Sequence, residues 1–387
     1  MLDTEYRSNL DWQLGKGGFG TVYAGVHQPY TGSGSDYSST SSISKEDGGS
    51  TRETPPLQVA IKLERADHEK PCLANEARAL KAVQGAEGIP TPYGDAAYSM
   101  MVRQQQTPYR DLIDTVSERL VERYNALVIE RLGEDLGTLF RRHLFKQLRP
   151  SAVRGSGLKR SHSVTPRKGD TTPAGWDEET IAWLGCHALK RLEWVHSKGL
   201  VHRDIHNQIT ILPFDDSFGM AQSYRTAGGQ HMPHSKELKS CVGTQAVMSY
   251  RCQGTRRDDV ESLGYMLMFL YQGSLPWSKH ADRFEESFAR SGHRWTVESV
   301  NLNDQIRKEK KALIKYGKGL DRSPREIQAF FEHVSSLQFA DKPDYAALRA
   351  ILRRMRKQGV SKSVDLGFER SCARVRKEDI KAGQVVM

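Results

Sequence analysis

The sequence predicts an α+β chain in which a small β-rich lobe is followed by a larger, mainly helical lobe. Residues 10–27 have the pattern of two strands joined by a glycine-rich turn, and residues 59–64 form a short run rich in β-branched residues. After about residue 133 the apolar positions recur mostly at helical spacing. A chain of 387 residues with 37% hydrophobic residues can bury a core of this kind.

Apolar residues at helical spacing predict each helix in turn. The first covers residues 73–81, and a second is indicated by apolar positions between 181 and 195 that share one face. Residues 259–272 are apolar nearly all round, which is typical of a helix buried in a core. Residues 324–331 and 345–355 have amphipathic patterns. We therefore expect the second lobe to be built mainly of helices.

Two segments have compositions that disfavour a packed structure. Residues 28–56 are rich in Ser, Gly, Thr and Pro, and we expect a mobile insertion there. Between Lys146 and Lys168 the chain has seven Lys or Arg and no Asp or Glu, so we expect a disordered insertion at 144–175. Within it, Ser163 follows basic residues and is a candidate phosphosite for a phosphopeptide-binding partner.

The charge of the chain does not point to nucleic acid. The formal net charge is +10, but much of it belongs to the basic segment just described. That segment lacks the interleaved aromatic residues of a single-strand binding surface, so we do not expect a nucleic-acid partner.

The sequence also predicts a protein of the cytoplasm, the nucleus or both. Charged residues occur from Asp3 onwards, and the longest apolar stretch, 263–271, is too short to span a bilayer. The five cysteines are scattered and form no CxxC pair, which fits a reducing compartment. We expect no signal peptide and no membrane partner.

A glycine-rich motif occupies residues 14–23, which read Leu-Gly-Lys-Gly-Gly-Phe-Gly-Thr-Val-Tyr. Glycines without side chains let backbone N–H groups approach phosphate oxygens closely. A strand follows the glycines here, whereas a helix follows them in dinucleotide-binding folds. Lys62 then lies on the third predicted strand, and Glu76 lies in the first predicted helix. A lysine held by a carboxylate is the arrangement that binds the α- and β-phosphates of ATP in kinases.

Beyond these general features, the chain resembles the casein kinase 1 family of Ser/Thr protein kinases. The matching stretches are 60–64, 84–90, 130–136, 196–205, 256–265, 273–277 and 341–345. The resemblance implies a bilobal protein kinase fold over residues 8–357, with an N-lobe at about 8–132 and a C-lobe at about 133–357. It places insertions near 28–56, 95–122 and 144–175 and leaves a basic C-terminal tail at 358–387.

The resemblance also implies the roles of individual residues. Ile129 would be the gatekeeper beside adenine, and residues 130–132 would form the hinge. Asp204 in His-Arg-Asp would be the catalytic base, and Asp259 would cap the loop that carries it. Together the motif and the resemblance assign ATP binding to Leu14, Gly15, Gly17, Gly18, Gly20, Val22, Ala60, Lys62, Ile129, Glu130 and Leu132. The expected cofactors are ATP and Mg²⁺, and the expected substrates are proteins with Ser or Thr near acidic or phosphorylated residues.

The metal-binding motifs depart from the family pattern. His206 stands where the family has a catalytic lysine, and Ile209 stands where it has a metal-binding asparagine. Ser217 occupies the register of the metal-binding aspartate, with Asp216 one place earlier. We therefore take Asp216 and Asn207 as candidate metal ligands. His206 is a candidate for supplying positive charge near the γ-phosphate when it is protonated.

Three interpretations remain open from the sequence. The first is an active kinase in which Asp216 holds magnesium. The second is a pseudokinase that binds nucleotide, or acts as a scaffold, without catalysis. The third is a transcript joined at wrong exon boundaries, because the chain is shorter than the family both between Asp204 and Phe218 and after Thr244. The resemblance implies that the second shortening also removes from register the arginine that binds the phosphate of a primed substrate, and Arg251 is a candidate to replace it.

Overall fold

The protein has a mixed α and β structure that divides into two compact units. The computed structural model describes residues 4–17, 20–29, 57–68, 71–103, 121–147, 175–206, 218–233, 243–356 and 385–386. Unit 1 comprises Met1–Leu73, Thr91–Arg131 and Val375–Met387, and unit 2 comprises Ala74–Pro90 and Leu132–Arg374.

Unit 1 is built on an antiparallel sheet whose strands are β1 (Thr4–Gly17), β2 (Gly20–Pro29), β3 (Leu57–Arg65), β4 (Pro92–Arg103), β5 (Val121–Glu130) and β8 (Val385–Val386). The strand order in this sheet is β4-β5-β3-β2-β1-β8. The three strands predicted near the glycine motif are confirmed as β1, β2 and β3. The pairing of β4 with β5 reaches into the range where the resemblance places the 95–122 insertion.

One face of this sheet carries an apolar cluster, because successive side chains of β3 point to opposite faces and its apolar residues point to the same one. Val59, Ile61 and Leu63 are buried and pack with Ala126 and Val128 of β5. Residues between them in the sequence point to the opposite face, as the period of two requires. The sheet therefore has a packed apolar face and a second face that carries Ala60 and Lys62.

Unit 2 is mainly helical. Its helices are α1 (Leu73–Val83), α2 (Leu136–Gln147), α3 (Glu178–Ser197), α4 (Arg256–Gln272), α5 (Ser278–Arg290), α6 (Val297–Tyr316), α7 (Arg325–Ser336) and α8 (Tyr345–Arg353). The first residue of α1, Leu73, belongs to unit 1, and the rest of that helix belongs to unit 2. Two short strands, β6 (Leu200–Val201) and β7 (Gln222–Ser223), pair with each other. The predicted helices are confirmed as α1, α3, α4, α7 and α8, whereas the sequence did not single out α2, α5 or α6.

Helix α4 forms the centre of unit 2, as its apolar composition predicts. Nearly every residue from Arg257 to Gln272 is buried, and Tyr265 packs edge-on against Trp277 with ring centroids 5.0 Å apart. The helix begins with a capping box between Thr255 and Asp258 and ends at Gly273, whose φ of 78° suits glycine. The helix therefore has defined ends and supplies fixed side chains to its neighbours.

The expected insertions lie largely outside the described residues. Residues 30–56, 104–120 and 148–174, with Ser163, belong to the parts of the chain that are not described, as does most of the tail, 357–384. The disorder expected for 144–175 was too broad at both ends. Helix α2 continues to Gln147, because the apolar Leu144 is buried in the core. Gly175 is also buried, and a Cβ atom there would lie 2.1 Å from the Leu270 carbonyl oxygen. Just after the expected range, Trp176 is buried and its backbone N–H donates to the same carbonyl at 2.8 Å. Among the described residues, no helix combines the length and apolar character needed to cross a membrane.

Candidate functional site

The sheet of unit 1 brings several of the predicted nucleotide-binding residues to one face. In the strand register Gly15 lies opposite Val22, Val22 opposite Lys62, and Ala60 opposite Ile129. Because cross-strand partners share a face, these five residues lie on the side away from the apolar cluster. Ala60 and Ile129 are buried, and Val22 and Lys62 are half-buried. These predicted residues thus lie side by side on four adjacent strands, β1, β2, β3 and β5.

The glycines of the motif differ in how much room the structure leaves for a side chain. Gly20 has a φ of 141°, and a Cβ atom there would lie 2.2 Å from the carbonyl oxygen of Leu63. At Gly15 a Cβ atom would meet nothing within 4 Å. Gly20 is therefore required by the close approach of β3, whereas the open space at Gly15 leaves its backbone accessible. Gly17 pairs with Gly20, and Gly18 lies outside the described residues.

The remaining nucleotide-binding candidates lie at the ends of strands. Leu14 is an exposed residue of β1, next to Gly15. Glu130 ends β5, and its N–H donates to the carbonyl oxygen of Thr91 at 2.9 Å. Leu132 follows the strand, is half-buried and belongs to unit 2.

Lys62 and Glu76 fall in different units. Lys62 is on β3 of unit 1, and Glu76 is fully buried in α1 of unit 2. Their pairing stays a prediction from the sequence. Nearby, sequence reasoning missed Glu64, a buried carboxylate that accepts the N–H of Cys72 at 2.7 Å and of Leu73 at 3.3 Å. It satisfies N–H groups at the start of α1, a capping role that sequence patterns assign to the residue just before a helix.

In unit 2, the loop after β6 is held by Asp259 of α4. The two oxygens of this buried carboxylate accept the backbone N–H groups of His202, at 2.7 Å, and Arg203, at 2.8 Å. The same carboxylate lies 2.8 Å from Nε2 of His196. Asp259 therefore caps the loop, as the resemblance implies. Arg203 has a φ of 72°, a conformation that is uncommon outside glycine and is maintained here by these contacts.

Burial and hydrogen bonding fix the charge states around this loop. Burial acts to raise the pKa of Asp259, but the hydrogen bond to His196 and the nearby histidines outweigh it, and the pKa lies below its usual range. Burial lowers the pKa of His202 to about 4, against the smaller effect of the Asp259 carboxylate. His202 is therefore neutral near pH 7, and its ring packs on Phe218 with centroids 5.1 Å apart.

The guanidinium of Arg203 links this loop to the segment after residue 217. Its Nε donates to the carbonyl oxygen of Met220 at 2.6 Å, and its Nη1 donates to Oε1 of Gln222 at 2.7 Å. From α1, Nδ2 of Asn75 donates to the carbonyl oxygens of Gly219, at 3.0 Å, and Ala221, at 2.9 Å. The chain following Phe218 thus has a defined path beside the loop.

Asp204 has an oriented carboxylate. Its Oδ1 accepts the backbone N–H of Thr244 at 3.0 Å and the Thr244 hydroxyl at 3.2 Å. Its Oδ2 lies 3.7 Å from Nε2 of His206, and both side chains are only slightly exposed. Gly243 precedes the contact with a φ of 109°, and a Cβ atom there would lie 2.6 Å from the Arg203 carbonyl oxygen. A carboxylate held in this way can accept a proton from a hydroxyl group placed beside it.

The structure brings Asp204 and His206 together, but it does not describe the candidate metal ligands. Asn207 and Asp216, with Ile209 and Ser217, lie outside the described residues. Among the residues that are described, no group of three or more His, Cys, Asp or Glu side chains could hold a metal ion. Magnesium binding therefore depends on the sequence argument alone.

A basic cavity of about 640 Å³ opens on unit 2, between the segment before α4 and helix α6. Its charged lining residues are Arg251, Arg257, Arg307, Lys308, Lys311 and Asp304. Three of its cations are held in place. Arg251 pairs with Glu261, Arg257 donates to the Leu337 carbonyl oxygen at 3.0 Å, and Arg307 donates to the Tyr250 carbonyl oxygen at 3.2 Å.

The cavity carries an excess of positive charge. Five of its lining residues are cationic and one is anionic, and burial and the neighbouring Arg251 lower the pKa of Arg257. Sequence reasoning named only Arg251 of this group as a candidate phosphate contact and gave Arg257 a structural role, because the lining residues come from segments far apart in the sequence. A search against models of known protein families found no match for this chain.

Proposed function

We propose that the chain is a Ser/Thr protein kinase similar to the casein kinase 1 family, with an N-lobe at about 8–132, to which the sheet of unit 1 belongs, and a C-lobe at about 133–357. The observation that carries this proposal is the held carboxylate of Asp204. Asp259 binds the backbone of the loop on one side, and Thr244 binds Oδ1 of Asp204 on the other. Phosphoryl transfer needs such a positioned carboxylate to take the proton of the substrate hydroxyl.

The face of the unit 1 sheet supports a role in ATP binding. It groups Gly15, Val22, Ala60, Lys62 and Ile129 across adjacent strands. The buried apolar residues suit contact with an adenine ring, and Lys62 suits contact with phosphate oxygens. ATP supplies the phosphoryl group when it is bound. Asp216 and Asn207 are the residues proposed to hold Mg²⁺, on the sequence alone.

The basic cavity supports an acidic or phosphorylated protein substrate. Arginine forks bind carboxylate and phosphate oxygens with paired hydrogen bonds, and Arg257 and Arg307 are already fixed by backbone carbonyls. Lys308 and Lys311 are exposed and add positive charge at the same opening. We assign to this cavity the binding of the acidic residues that flank the acceptor Ser or Thr.

A pseudokinase is the second candidate, and the metal-binding motifs favour it. An isoleucine side chain cannot ligate Mg²⁺, and Ser217 offers a neutral hydroxyl where the family has a carboxylate. In that case unit 1 would still bind nucleotide, while no phosphate would be transferred. The third possibility, a transcript joined at wrong exon boundaries, is resolved by sequencing the transcript across residues 205–250.

The experiment that tests the proposal measures Mg²⁺-dependent ATP turnover on an acidic serine peptide. An active kinase that uses Asp216 as its metal ligand should lose turnover in the Asp216→Ala variant and gain it in the Ser217→Asp variant. Turnover that persists in Asp216→Ala would contradict the metal assignment. The pseudokinase predicts no turnover in the wild type and none after the Asp216→Ala change.

A further inference from the structure

Lys310 is a buried cation in the middle of α6. Its side chain is 1% exposed, and it lies on the apolar face of the helix in line with Leu302, Ile306 and Leu313. Burial of a charged ammonium group is costly unless other groups replace its hydration. A lysine at this position of an apolar face therefore needs specific partners.

The partners of Lys310 include two backbone carbonyls and two aromatic rings. Nζ donates to the carbonyl oxygens of Gln245 and Met248, each at 2.7 Å. It also lies 5.4 Å from the ring centroids of Tyr265 and Trp277, within the range of cation–π attraction. These contacts replace the water that the ammonium group loses on burial.

The two carbonyls belong to a tight turn whose first residue is Thr244. The N–H groups of Val247 and Met248 donate to the Thr244 carbonyl oxygen at 3.0 and 2.9 Å. Trp277 adds a third anchor, because its Nε1 donates to the carbonyl oxygen of Ala246 at 2.7 Å. Side chains from outside the turn therefore bind three of its carbonyls, at residues 245, 246 and 248.

The turn leads directly to Asp204. The N–H and hydroxyl of Thr244, at the start of the turn, both donate to Oδ1 of Asp204. A continuous series of hydrogen bonds thus runs from Lys310 through the turn to the carboxylate. Loss of the ammonium would leave two carbonyl oxygens without this donor and would free the turn to move.

We propose that Lys310 is a positioning residue that fixes the 244–248 turn and thereby the orientation of the Asp204 carboxylate. The inference rests on the proposed function of Asp204 as the base. Lys310 is not itself a catalytic residue, because it acts through the turn. Its removal should lower the rate of the chemical step more than it weakens substrate binding.

The test compares Lys310→Met, which keeps the length and apolar stem, with Lys315→Met, which changes an exposed lysine of the same helix. The first readout is amide hydrogen exchange of the full-length protein. We expect the Thr244 amide and the turn that follows to exchange at least about tenfold faster in Lys310→Met and to be unchanged in Lys315→Met. Thermal unfolding verifies that both variants are folded.

The second readout is phosphate transfer to an acidic serine peptide. In Lys310→Met we expect kcat to fall about tenfold or more with little change in the KM for ATP. If Lys310→Met does not fold, Trp277→Phe removes the indole N–H donor to Ala246 together with part of a buried ring, keeps an aromatic ring near Tyr265 and Lys310, and should produce a smaller effect of the same kind. Unchanged Thr244 exchange in a folded Lys310→Met protein, or an unchanged kcat, would overturn the inference. Faster Thr244 exchange together with an inactive wild type would instead support the anchoring and overturn the proposed kinase activity.

Discussion

His202 links the stability of the loop after β6 to pH. Its ring is fully buried against Phe218, its Nδ1 accepts the N–H of Asp204 at 3.2 Å, and its pKa is lowered from 6.5 to about 4 mainly by burial. The unfolded chain therefore takes up this proton at a higher pH than the folded protein does. As a result, the contribution of His202 is complete above pH 6.5 and is lost as the pH falls toward 4.

We expect acid to lower the free energy of unfolding through His202 by on the order of 3 kcal/mol across this window. His202→Phe keeps a ring against Phe218 but cannot be protonated, so its unfolding free energy should depend less steeply on pH. Urea denaturation of both proteins between pH 7 and pH 4 measures the difference. Parallel loss of stability in the two proteins would show that His202 is not the titrating group.

Lys62 is the residue on which ATP binding is expected to depend. It shares a sheet face with Val22 and Ala60, and its amine is the cationic group among the predicted nucleotide contacts on that face. We expect ATP at about a hundred times its Kd to stabilise the wild type by about 2.7 kcal/mol, with weak dependence on magnesium. Thermal-shift measurements should show no such stabilisation for Lys62→Ala, whereas Lys315→Ala, which changes an exposed lysine of α6, should behave as the wild type. An unchanged shift in Lys62→Ala would remove Lys62 from the site.

Strands β1, β2 and β3 show why two glycines of one motif are not equivalent. The carbonyl of Leu63 leaves no room for a side chain at Gly20, whereas the space at Gly15 is open. We therefore expect Gly20→Ala to cost on the order of 2 kcal/mol of stability. Gly15→Ala should change stability by no more than about 0.5 kcal/mol. Urea denaturation of the matched pair measures both, and equal costs would contradict the packing of β2 on β3.

The strands and helices with strong periodicity could be predicted from the sequence, and contacts between distant segments could not. Val59, Ile61 and Leu63 alternate clearly, and α4 is apolar all round, so β3 and α4 were identified with few alternatives. Helix α6 has many charged residues and its apolar face includes Lys310, which weakens the helical pattern. The carbonyls that Lys310 binds lie more than sixty residues earlier in the chain, at Gln245 and Met248. A lysine on an apolar helix face is the one sequence signal that could have drawn attention to it.

Among the candidate site residues, too, local motifs could be predicted and contacts between distant segments could not. The glycine motif, Lys62 and Asp204 were identified by local patterns and by resemblance. Resemblance also drew attention to Thr244, but its contact with Asp204 was not predicted, because Thr244 follows Asp204 by forty residues. The basic cavity likewise combines residues before α4 with residues of α6. Tertiary packing determines these contacts, and no local propensity encodes them.

Across the whole molecule, the residues assigned to the proposed function belong to two different units. Unit 1 carries the sheet face assigned to ATP, and unit 2 carries the Asp204 loop, its anchors Asp259 and Thr244, and the basic cavity. The proposed function requires that both sets of residues act on one nucleotide and one protein substrate. Mutation of the Asp204 loop should therefore abolish phosphate transfer and leave nucleotide binding intact, since most of the residues assigned to ATP lie in unit 1.

Phosphate transfer from γ-labelled ATP to an acidic serine peptide, compared between the wild type and Asp204→Asn, tests the kinase assignment. The asparagine side chain keeps the shape of the carboxylate and can still accept a hydrogen bond from Thr244, but it is a far weaker proton acceptor. We predict Mg²⁺-dependent transfer by the wild type and a loss of at least about a hundredfold in Asp204→Asn, with the same thermal stabilisation by ATP in both proteins. A wild type that binds ATP and transfers no phosphate, or an Asp204→Asn protein as active as the wild type, would contradict it.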